Sequence, residues 1–83
     1  MDRRRLLRQI RAGAVHNVSF RDMVSLVEGY GFVLGRIVGS HHMYAHPLVR
    51  ELVNIQNANG KAKPYQIRQF LRKVEKYNLE LKE

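Results

Sequence analysis

The chain has 83 residues, enough for one small domain with a single core. It has no cysteine, which excludes a disulfide framework or a thiolate metal cage and suits the cytoplasm; no run approaches the roughly 20 apolar residues of a membrane span. Fifteen Lys+Arg against seven Asp+Glu give a net charge of +8, a surplus that steers a protein toward polyanions, nucleic acid first.

In chain order, residues 2–11 predict a short cationic helix: Leu6, Leu7 and Ile10 share one side, Asp2 is placed to cap the start and Gly13 to end it. Arg3, Arg4, Arg5, Arg8 and Arg11 form the first of two basic blocks. Residues 12–18 read as a linker, so 1–18 are expected to be a basic helix and linker ahead of a domain over 19–83. Ser19 opens the next helix with Asp22 at capping-box spacing, and Phe20, Met23, Val24 and Val27 recur at core-facing intervals until Gly29 and Gly31. From Phe32 the pattern turns to β-branched and aromatic residues. FVLGRIV and HMYA predict two antiparallel strands joined at Gly39-Ser40, and RELVNI after Pro47 predicts a third. NANG, residues 57–60, is turn chemistry; Pro64 then starts a helix in which Ile67, Phe70, Leu71, Val74 and Tyr77 fall at helical spacing. The second basic block, Lys61, Lys63, Arg68, Arg72, Lys73 and Lys76, lies over this turn and helix. The fold class is therefore α+β: a three-stranded antiparallel sheet with two helices on one face, plus a short basic helix in front.

Three of the four histidines fall within six positions, at His41, His42 and His46. On a strand, His42 and His46 share a face but sit about 13 Å apart, whereas a zinc ion holds its nitrogens at about 2 Å, so they cannot share one ion. His41 and His42 point to opposite faces. The carboxylates are scattered, with no close pair to hold a catalytic magnesium ion. No metal or other cofactor is expected. Imidazole as acid or base remains, because it both takes and gives a proton near neutrality. With RNA the chemistry needs no metal: the 2′-hydroxyl is the nucleophile, a base removes its proton, and Lys or Arg stabilise charge on the phosphate. Strand parity puts His41, Met43 and Ala45 on one face and His42, Tyr44 and His46 on the other. If Met43 points to the core, His42 and Tyr44 lie on the open face; periodicity alone does not choose between His41 and His42 as the functional ring.

The residues Gly31-Phe32, Arg36, Gly39-Ser40-His41-His42-Met43-Tyr44 and His46-Pro47, followed by a Lys-bearing turn and an Ile/Leu-patterned helix, resemble the HicA-type (YcfA-like) mRNA interferase toxins of prokaryotic toxin-antitoxin pairs. The resemblance covers about residues 19–77. It implies a double-stranded-RNA-binding-like (dsRBD-like) αβββα fold, a ribonuclease activity that cleaves mRNA and stops translation, and a HicB-type antitoxin as partner. It also implies that the catalytic histidine is the one directly after the Gly-Ser pair, His41, with His42 on the following variable position. Two departures stand out: Asn54-Ile55-Gln56 replaces the Pro and His many relatives carry after the third strand, and the first 18 residues extend beyond the common short form.

The reading that follows is a metal-independent endoribonuclease with His41 as general acid or base, His42 as an auxiliary residue that orients it, and Arg36, Lys61, Lys63 and Arg68 on phosphates. Tyr44, taken as lying on the open face, would stack on a splayed base. The rival readings are a non-catalytic RNA-binding module using the same open face, and a protein that only engages its partner. Salt-dependent binding with intact RNA would distinguish the first of these from the enzyme.

Overall fold

Among residues 1–82, which the computed structural model describes, the elements run α1 (Arg3–Arg11), α2 (Phe20–Gly29), β1 (Val33–Val38), β2 (His41–His46), β3 (Val49–Gln56) and α3 (Pro64–Lys76). The helix ends follow the local chemistry. Asp2 accepts the N–H of Arg4 at 2.8 Å, and the Ser19 hydroxyl accepts that of Asp22 at 3.0 Å, each satisfying an amide that has no intrahelical partner. Pro64 occupies the first turn of α3, where its missing N–H costs nothing. The β1–β2 hairpin turns through two residues, and Gly39 takes φ +60, a conformation at which a side chain is strained.

The strands form one antiparallel sheet in the order β1-β2-β3. Val38 lies across from His41, and His41 in turn across from Gln56. Both α2 and α3 pack over β3, burying Met23, Leu26 and Val27 of the first helix and Ile67, Phe70 and Val74 of the second against Val53 and Ile55. Tyr30 and Phe32 close this layer, with ring centroids 5.5 and 5.7 Å from that of Phe70 in edge-on geometry. This is the expected αβββα, dsRBD-like arrangement. The amphipathic α1 packs on α2, so that Leu6, Leu7 and Ile10 join the same apolar cluster, as do Val15 and Val18 of the segment that follows.

One expectation is reversed. Tyr44 is not on the open face: it is 2% exposed and lies in the core across from Val53, with its hydroxyl titration raised by burial. The third strand decides this. Val49, Val53 and Ile55 share one parity and are buried, whereas Arg50, Asn54 and Gln56 share the other. The register ties Tyr44 to Val53 and His42 to Ile55, so the helices cover Tyr44 and His42, while Met43, paired with Asn54, turns outward with His41.

Candidate active site on the open sheet face

The face turned away from the helices carries His41 and Met43 from β2 and Asn54 and Gln56 from β3. Arg36 joins them from β1, because the irregularity at Gly35 shifts the register and sets Arg36 across from Met43. Arg36 is thus the diagonal neighbour of His41, a placement that puts Cβ atoms about 7–8 Å apart, within reach of a long side chain.

His41 is the first residue of β2, directly after the turn, and is partly exposed. Its Nδ1 lies 3.1 Å from Asn54 Oδ1. A carbonyl oxygen only accepts, so Nδ1 carries the hydrogen, and in the neutral ring the lone pair is then on Nε2. That tautomer is the one a general base needs. Asn54 was legible in the sequence only as a polar residue interrupting the apolar run of β3; its partnership with His41 depends on strand register.

His42 faces the other way. Its ring lies against Phe20, centroids 4.7 Å apart, and Nδ1 donates to the Ser40 carbonyl at 3.3 Å. It therefore ties the hairpin turn to the start of α2 and does not share a surface with His41. His46 is committed as well: Nε2 donates to the Tyr30 carbonyl at 3.1 Å, while Nδ1 accepts the N–H of Leu48 at 3.0 Å. Among the described residues no group of three His, Cys, Asp or Glu is placed to hold a metal ion.

The end of the sheet that carries His41 is braced from several sides. The N–H of Asn57 donates to the Ser40 carbonyl at 2.9 Å, and the N–H of Phe20 to the Gly60 carbonyl at 2.8 Å, so the 57–60 turn, the hairpin turn and the start of α2 meet. Gln66, buried on α3, accepts the N–H of Gln56, the residue across from His41, at 2.7 Å. No local sequence signal marks Gln66, a polar residue on an amphipathic helix whose burial depends on the packing of α3 against the sheet. Lys61 and Lys63 follow this turn at the same end; the Lys61 ammonium donates to Asn17 Oδ1, and Lys63 caps α3 by its backbone. Arg68 is exposed on α3, which packs on the opposite face of the sheet from His41.

Tyr44, enclosed in the core, is not available to stack on a base. Among the described residues, one surface pocket is lined by Arg11, Leu71, Val74 and Glu75, and another by Tyr30, His46, Tyr77 and Leu79 with their neighbours.

Residues 20–75, from the first turn of α2 to the last turn of α3, match the family model for the HicA toxin of bacterial toxin-antitoxin systems. No curated protein and no solved structure matches the chain.

Proposed function

Since the chain belongs to the HicA toxin family of bacterial toxin-antitoxin systems, we propose that it is a metal-independent endoribonuclease that cleaves mRNA, halts translation in the cytoplasm, and is neutralised by a HicB-type antitoxin. The observation that carries this reading is the pairing of His41 Nδ1 with Asn54 on the open face, which leaves Nε2 as the free nitrogen of the neutral ring.

The chemistry follows from the residues. Nε2 of His41 takes the proton of a ribose 2′-hydroxyl, whose oxygen attacks the adjacent phosphorus; the P–O5′ bond breaks and the departing oxygen recovers a proton from the imidazolium or from water. The products are a 2′,3′-cyclic phosphate and a free 5′-hydroxyl. Arg36, diagonal to His41 on the same face, neutralises charge that develops on the phosphoryl oxygens. Lys61 and Lys63 extend the positive field around the end of the sheet, and Arg68 extends it over the helix layer. His42 serves by bracing the turn that presents His41, through Ser40 and Phe20. DNA lacks the nucleophile and would be bound without being cut.

The test is incubation of purified chain with end-labelled mRNA in a chelator. The wild type yields discrete fragments ending in cyclic phosphate, whereas His41→Ala, with an unchanged circular dichroism spectrum, loses about 10²- to 10⁴-fold in rate. Wild-type cleavage by His41→Ala would overturn the assignment of the base, and intact RNA with folded wild type would overturn the enzyme in favour of a binding module.

A further inference from the structure

Among the described residues, β1 has no partner on its outer edge and no cover on either face. It is a terminal strand of the sheet, paired among those residues with β2 alone, and all six of its residues are exposed. Val33, Leu34, Ile37 and Val38 are 66%, 40%, 54% and 56% exposed. The register explains the two-sided exposure. Leu34 and Ile37 pair with Tyr44 and His42 and so turn to the helix side, yet both helices sit over β3; Val33 and Val38 turn to the open side. The result is an apolar ribbon that overhangs the rest of the domain.

Natural edge strands are defended by charges, proline, bulges or a covering element. Here the defence is one bulge at Gly35 and one charge, Arg36, on a strand that is otherwise aliphatic. An apolar patch of this kind marks an interaction surface.

We propose that β1 is the docking edge for the antitoxin, which adds an extended, apolar and acidic segment as a fourth strand. Side chains of that strand cover Leu34 and Ile37 on one side and Val33 and Val38 on the other, while a carboxylate meets Arg36. Strand addition of this sort takes its affinity from main-chain hydrogen bonds and its selectivity from alternating side chains. A second copy of the chain is a poor occupant, because pairing across β1 would bring together two molecules of charge +8 each. Nucleic acid is poorer still, since the strand offers it one cation and no ring on which to stack. An acidic polypeptide fits both the aliphatic side chains and the charge.

The position also accounts for neutralisation. Val38 lies across from His41, and Arg36 is its diagonal neighbour, so a strand added about 4.8 Å beyond β1 stands roughly 10 Å from β2. It would occupy the flank from which RNA reaches the open face and would sequester Arg36. The proposal rests on family membership for the existence of an antitoxin and is independent of the ribonuclease reading.

The experiment therefore reads binding and not cleavage. The full chain is titrated with the purified product of the reading frame adjoining its gene, with amide hydrogen exchange followed in the free and bound states. Expected are a one-to-one complex, slowed exchange of β1 amides on binding, and at least about 100-fold weaker affinity for Leu34→Lys/Ile37→Lys. Tyr65→Lys, a similar charge placed on an exposed ring of α3, leaves the affinity unchanged. The proposal is overturned by the absence of a complex, by β1 amides that exchange equally fast when bound, or by wild-type affinity in the double variant. Protection of β1 in concentrated free chain, or on adding RNA, would reassign the edge to a second copy or to nucleic acid and equally overturn it. A chain that cuts no RNA can still pass, and one that cuts can still fail.

Discussion

Replacing Asn54 by alanine separates positioning from chemistry. The side chain does not touch substrate in the proposed reaction; it accepts the Nδ1 hydrogen of His41 at 3.1 Å and thereby sets ring orientation and tautomer. A partly exposed neutral hydrogen bond of this kind is worth about 0.5–1.5 kcal/mol net. At about 1.4 kcal/mol per factor of ten, that converts into roughly a two- to tenfold loss of the productive form. Asn54→Ala should therefore lower kcat for RNA cleavage by about that factor, with KM unchanged, well short of the 10²- to 10⁴-fold loss expected when the base itself is removed. Single-turnover cleavage across a pH range is the assay. Asn54→Asp supplies the sharper readout: a carboxylate beside Nδ1 favours the protonated ring, so the rate, which needs the neutral ring, should rise only at higher pH than in wild type. If Asn54→Ala cuts as fast as wild type, or loses as much as His41→Ala while folded, the positioning argument fails. An Asn54→Asp profile superimposable on that of wild type would refute it independently.

Tyr44→Ala should act on stability and not on RNA contacts, because the ring is enclosed in the core; a loss of about 3–5 kcal/mol in chemical denaturation is expected, comparable to other large-to-small core changes. Leu6→Ala should cost about 2–5 kcal/mol in the same measurement, since Leu6 lies in the cluster formed by the rest of the chain despite standing outside the family match. Asp22 accepts from the Met1 ammonium at 3.0 Å, which holds its carboxyl below the ordinary value. Its folded-state pKa being depressed, the contribution is complete above about pH 4 and is lost as pH falls through the lowered value. The pair is solvent-exposed and screened, so Asp22→Asn should cost only about 0.3–1 kcal/mol, and the difference from wild type should vanish in acid melts.

Local chemistry was enough to read most of the fold. Asp2, Ser19, Pro64 and Gly39-Ser40 act within a few residues of themselves, so the helix starts and the hairpin could be found by inspection, as could the hydrophobic periods between them. The parity of β2 was equally plain: His41 and His42 had to point apart. The histidine after the Gly-Ser pair was marked by the family resemblance, which the match over residues 20–75 supports at the level of the family.

Which parity faces the core was a different kind of question. Met43 and Tyr44 are both acceptable in a core, and the choice depends on β3, whose register buries Val53 and Ile55 and so draws Tyr44 and His42 under the helices. The link between His41 and Asn54, the support that Gln66 gives to Gln56, and the bareness of β1 have the same origin. The sequence by itself determined the order of the elements and the starts of the helices, the +8 charge and the residue types available for chemistry, because those follow from near neighbours and composition. Only the tertiary structure decided which side chains meet and which face stays open, because strand pairing and helix placement join residues far apart in the chain, and no single segment contains the energy that chooses between its two faces.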